Sequence, residues 1–154
     1  MTDAEKKAAS QPHERFLFNL AIFHFFVPAI LFGTENLWLI FTIPLFASTV
    51  ILASIGWQAK QSNDKSALVL AHWQLAWRRS IYLLIVYGIS LLIFGIGVLL
   101  TMGTASGSDQ FIQRAVIGWF ALAPLSLALV ALLIMEGSAL VQSRNGVMPA
   151  DMKL

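Results

Sequence analysis

Two ionisable residues lie where so apolar a chain has least reason to carry them, His24 and Glu136. His24 falls about midway along the apolar run Phe16–Gly33, so its ring is expected near the middle of whatever that run crosses. An imidazole there has the chemistry to ligate haem, contact a quinone or handle protons, because ionisable groups inside a membrane are costly and usually have a reason. The bland role is a neutral ring hydrogen-bonded to a neighbouring helix, and Pro28 supplies its physical cause. Proline brings no N–H and leaves the carbonyl four residues earlier, that of His24 itself, without a helical partner. Polar side chains gather at such bends, and Ser48, Thr49 or Ser90 are the expected partners. No second histidine lies in an apolar run, since His13 and His72 fall outside them. Haem held by two histidines of one chain is therefore excluded. His24 is expected to be structural, with no haem, quinone or metal bound by this chain alone.

Glu136 follows Met135 at the inner end of the last apolar run. A proton-coupled exporter needs its carboxylate in mid-membrane; Glu136 sits at the boundary, level with Arg15, Arg78 and Arg79. The expected role is an ion pair pinning helix ends, on the ~1 kcal/mol scale of a partly solvated pair. Asn19 lies one turn inside the first run, on a different face from His24, and is expected to hydrogen-bond another helix for ~0.6–2 kcal/mol. A periodic constellation completes the set. Lys65, His72 and Arg79 recur every seven residues, and Val69, Trp73 and Trp77 every four. That is the pattern of an interfacial amphipathic helix over about 65–79, apolar side toward acyl chains and basic side toward headgroups or a partner.

No nucleophile–base pair, embedded carboxylate pair, metal-ligand cluster, nucleotide motif or cofactor motif is present, so no enzyme activity, metal or cofactor is expected. The chain has no cysteine. Disulfides, thiolate metal sites, iron–sulfur clusters and covalent haem attachment are thereby excluded.

Four apolar stretches must position these residues: Phe16–Gly33, Leu37–Trp57, Ile81–Met102 and Ala115–Met135. Each is close to the ~20 residues that cross ~30 Å of hydrocarbon. The polar tail before Glu14, with Ser10 and Pro12, is expected to be poorly ordered. Ser62, Asn63 and Asp64 are good helix caps, and Lys65–Ser80 holds neither Gly nor Pro. A helix running unbroken to Met102 would be ~57 Å long, too long for a bilayer, so it is expected to bend near Arg78–Arg79 or project from the membrane. Gly88, Gly95 and Gly97 in the third span and Gly118, Ala121, Ala128 and Ala131 in the fourth predict a close helix pair.

Nine of the ten Lys and Arg residues, all but Arg114, fall in the two tails and the middle loop. By the positive-inside rule these are cytoplasmic, and the loops near Glu35 and Asp109 face out. The fold class is an all-α integral membrane protein, an antiparallel four-helix bundle with a juxtamembrane amphipathic helix before the third span, one membrane domain over 1–154. At 58% hydrophobic and 12% charged, the chain leaves no room for a separate soluble module. Its cations line the margins of the spans instead of forming a basic face, so nucleic acid is not an expected partner. The expected partners are the lipid bilayer and other integral subunits, or further copies of itself. The expected role is a non-enzymatic accessory, assembly or structural subunit of an inner-membrane complex. The alternatives are a small homo-oligomeric transporter or exporter, and a redox membrane anchor that donates His24. Single cysteines test the topology cleanly because the native chain has none. In intact cells an impermeant thiol reagent is expected to modify Ser106→Cys and to spare Ser62→Cys; the reverse pattern refutes it.

Overall fold

The structure, a computed structural model, describes residues 2–34, 36–61, 65–102 and 107–150. The expected caps at Ser62, Asn63 and Asp64, Glu35, most of the second outer loop and Lys153 lie outside these residues. The described residues are helical and contain no strand. The elements are α1 (Asp3–Ala21), a π-helical turn (Ile22–Phe26), α2 (Val27–Phe32), α3 (Leu37–Lys60), α4 (Ala67–Thr101) and α5 (Ser108–Arg144). Four helical runs, Asp3–Phe32, Trp38–Lys60, Ala67–Thr101 and Ile112–Arg144, are long and apolar enough to cross a membrane. Their large apolar side chains, such as Phe46, Phe120, Leu127 and Ile134, stand exposed. A multi-pass membrane protein is the consistent reading of that length and exposure.

The tail expected to be disordered is the first three turns or so of helix α1. Thr2 caps it: its hydroxyl accepts from the Glu5 N–H, and the Glu5 carboxylate accepts from the Thr2 N–H, a full capping box. The cap alone would not hold so polar a segment. Its inner face is buried, with Ala9, Ser10, Pro12 and His13 all out of solvent. At Pro28 the helix responds as the missing donor requires. Residues 22–26 widen into a π turn in which the Val27 N–H reaches the Ile22 carbonyl. One extra residue in the turn absorbs the ring that would otherwise clash with the preceding carbonyl. Asn36 then starts α3 by accepting from the Trp38 and Leu39 N–H groups.

Helix α4 runs unbroken over 35 residues, ~52 Å at ~1.5 Å per residue. A break at Arg78–Arg79 into two separate helices is therefore not what forms. The reason is packing: Leu68, Val69, Ala71, Trp73, Leu75 and Ala76 are all buried, so this stretch is a core helix with no apolar side to give to lipid. α5 is closed by a Schellman motif. The Val147 N–H bonds the Gln142 carbonyl and the Gly146 N–H the Ser143 carbonyl, with Gly146 at φ 71°.

The chain divides into two compact units, Met1–Ile81 with Ala131–Leu154, and Tyr82–Val130. The first is cored by Phe16, Leu20, Leu52, Ile55 and the buried face of α4. Within it, a Cβ at Gly56 would lie 2.7 Å from the Trp77 ring, so glycine is what lets that indole seat on α3. The second unit buries Leu83, Tyr87, Phe94, Ala121, Leu125 and Leu129. Its close approach is at Gly97, where a Cβ would collide with the Ile117 side chain. Gly88 and Gly95, seven apart on one face, have nothing within 4 Å of an added Cβ and make no such contact. In thermal unfolding in detergent, Gly56→Ala and Gly97→Ala are each expected to lose ~1–3 kcal/mol by overpacking. Gly88→Ala is expected to be neutral or to gain up to ~1 kcal/mol from helix propensity. Equal effects at all three positions would refute these packing assignments.

Candidate functional site

The ionisable groups of the first unit converge on one buried chain. His13 on α1, His72 on α4 and Glu136 on α5 are each 0% exposed. The His13 Nδ1 lies 2.6 Å from Glu136 Oε2, and its Nε2 lies 2.8 Å from His72 Nδ1. The far nitrogen of His72, Nε2, donates to the Val147 carbonyl at 3.0 Å. The two imidazoles meet edge to face, with centroids 5.0 Å apart at 89°. Arg79, about two helical turns beyond His72 on α4, closes the other end. Its Nη1 donates to Glu136 Oε1 and to the Met135 carbonyl, both at 2.9 Å. The buried carboxyl group thus has a guanidinium on one oxygen and an imidazole nitrogen on the other, so neither oxygen lacks a partner out of water.

Outside the chain, Arg144 donates to Glu14 at 3.1 Å, and Ser10 donates to the same carboxylate oxygen at 3.0 Å. The guanidinium holds Glu14 below the usual carboxylate range.

Of the cations expected on Glu136, the structure places Arg79 on it. Arg15 instead sits over the Trp73 ring, 5.4 Å from its centroid. Arg78 is exposed. The expected basic stripe of Lys65, His72 and Arg79 does not present one face to headgroups. His72 and Arg79 turn inward to the carboxylate, while Lys65 donates to the Gln58 carbonyl and side chain and covers the other approach to Trp73 at 5.1 Å. Trp73 is 3% exposed, so it is no acyl-chain anchor. Trp77 is half-buried against Gly56. The physical reason is the carboxylate: once Glu136 is buried, the nearest cation and imidazole gain more from it than from water or lipid.

A second polar group lies further along α1. Asn19 Nδ2 donates to Ser48 Oγ at 2.8 Å, and His24 Nε2 lies 3.2 Å from the same oxygen. The expectation that Asn19 and His24 occupy different faces is overturned by the π turn between them. A turn with more than 3.6 residues brings positions five apart toward one side. Thr49 gives its hydroxyl to the Leu45 carbonyl in its own helix.

His13 is the residue that sequence reasoning missed, set aside as part of a polar tail. Its signal was the spacing Ala9, His13, Phe16, Leu20, an inward stripe that runs from the apolar stretch back into that tail. Among the described residues no group of three or more His, Asp and Glu side chains is arranged to hold a metal. The ring nitrogens of His13 and His72 are spent on hydrogen bonds. The chain matches no protein-family model, no curated protein and no solved structure.

Because Glu136 is fully enclosed, the ~1 kcal/mol scale of an exposed pair does not apply. Glu136→Ala leaves Arg79 facing a buried gap and is expected to lower stability by ~3–5 kcal/mol. Urea or thermal unfolding in detergent measures this. A loss under ~1 kcal/mol would mean that the pair is solvated in the folded protein.

Proposed function

We propose that this chain is a non-enzymatic accessory, assembly or structural subunit of a larger complex in an inner membrane. It is built as an antiparallel four-helix bundle with both termini in the cytoplasm. The observation that supports this reading is how its polar groups are used. His13, His72, Arg79 and Glu136 are bonded to one another, and Asn19 and His24 to Ser48. The outward faces are left to large apolar side chains, among them Phe18, Phe46, Trp119, Phe120 and Leu127. Such a surface is covered by lipid or by neighbouring helices. The nine-to-one distribution of cations supports the orientation.

A small proton-coupled transporter working as a homo-oligomer is the second reading, and the buried Glu136 chain favours it. A redox anchor donating His24 has less support, because that ring is bonded to Ser48. One purification in mild detergent separates the three. Other integral subunits are expected to co-purify at fixed stoichiometry, and the reduced-minus-oxidised visible spectrum is expected to be flat. A homo-oligomer whose proton-coupled flux in liposomes is lost in Glu136→Gln would overturn the subunit reading. So would a Soret band that disappears in His24→Ala.

A further inference from the structure

We infer that Glu136, His13 and His72 form a proton-binding relay: a buried chain that holds one proton beyond the complement of a carboxylate and two neutral imidazoles, and passes it from Glu136 to His72 beneath the Val147 carbonyl. Hydrogen-bond bookkeeping carries the argument, independently of the subunit reading above. The Val147 carbonyl only accepts, so His72 Nε2, 3.0 Å away, bears a hydrogen. A neutral His72 is then an acceptor at Nδ1, and His13 Nε2, 2.8 Å from it, donates. The other nitrogen of His13 lies 2.6 Å from Glu136 Oε2, a contact that needs a hydrogen between its atoms. Arg79 only donates, so Glu136 Oε1 is a bare acceptor and that hydrogen sits on the Oε2 side. Three contacts therefore hold three hydrogens, whereas a carboxylate and two neutral imidazoles bring two. The third is a bound proton. It leaves the three groups neutral as a set, beside the cationic Arg79.

Transfer needs no movement of heavy atoms. With the proton on Glu136 Oε2, the O–H bond breaks as a new N–H bond forms at His13 Nδ1. The His13 Nε2–H bond breaks in turn, and its proton passes to His72 Nδ1. The products are the Glu136 carboxylate, a neutral His13 protonated at Nδ1, and a His72 imidazolium with both nitrogens protonated. No electron changes hands, and total charge is conserved. Burial makes that imidazolium short-lived while it stays covered. Its Nε2 proton leaves when water replaces the Val147 carbonyl, which is carried by the Schellman turn at Gly146. Val147 itself is half exposed, so the cover is a thin strap at the edge of the unit. Other charged groups on the packed elements have their own settings. Glu14 and Arg144 are paired with each other, and Lys60 and Arg78 are exposed.

The test uses the full chain in lipid nanodiscs, with histidine ring nitrogens and glutamate carboxyls isotopically labelled. NMR counts the hydrogens on His13 and His72, and infrared spectroscopy reads the protonation of Glu136. At neutral pH a total of three hydrogens is expected over the chain, with His72 Nε2 protonated. In Glu136→Gln the amide donates to His13 Nδ1, that nitrogen is expected to stay a bare acceptor, and the two rings are expected to hold two hydrogens with none to pass on. An ionised Glu136 with only two ring hydrogens would overturn the inference, as would an unprotonated His72 Nε2. A second variant avoids the buried groups. Gly146→Ala strains the strap, and solvent exchange at His72 Nε2 is expected to quicken on the order of tenfold, the factor implied by a non-glycine residue at positive φ. Unchanged exchange would show that the strap is not the exit.

Discussion

A carboxylate with no access to water governs the first unit of this protein. Glu136 is 0% exposed, and an uncompensated charge there would cost several kcal/mol. Everything that touches it is arranged to prevent that. Arg79 must point back along α4 to one oxygen, and His13 must present a ring nitrogen to the other. His13 reaches only if the polar N-terminal segment is helical and docked, which is why α1 extends to Asp3 instead of fraying. Its second nitrogen then needs a partner, His72, and His72 in turn needs the Val147 carbonyl. One buried carboxyl group thus fixes the register of three helices and the turn that follows the last of them.

The same logic, weaker because no charge is involved, acts around Pro28. The missing N–H forces a local change in helical pitch, and the π turn is the smallest change that keeps backbone bonding continuous. The turn aims His24 and Asn19 at a single hydroxyl on α3. Polar side chains within an apolar run serve here as couplings between helices, each of modest strength but specific in geometry. Glycine contributes in the opposite way, by absence: Gly56 and Gly97 mark the places where an indole and an isoleucine need the volume of a Cβ. Gly146 supplies the positive φ that turns the chain over His72.

The Glu136 chain joins a stabilising role to a chemical one without conflict. A cluster that ties helices together by hydrogen bonds gains from filling its donors and acceptors, and filling the three contacts from Glu136 to Val147 requires a bound proton. Low solvent access strengthens each of those bonds and makes any unfilled position expensive. A pump and a structural clamp would differ less in their contacts than in whether the Val147 strap opens.

The four apolar runs, the all-helical class and the marginal placement of the cations follow from the sequence alone, because they depend on hydropathy and length, which are additive along the chain. A single residue with a strong local rule was legible too: Pro28 announced a disturbed helix. The partners of Glu136 were legible only as a short set of cations at matching depth, from which tertiary packing placed Arg79 on the carboxylate and Arg15 over Trp73. The stretch Lys65–Arg79 carries an amphipathic pattern that suits a lipid surface as well as a protein core; the docking of α1 against it decided for the core. His13 became a site residue only because a segment 123 residues away in sequence supplies the buried carboxylate. Periodicity tells which face of a helix is buried, but not what that face meets. That identity is a property of long-range contacts, and the tertiary structure alone decided it.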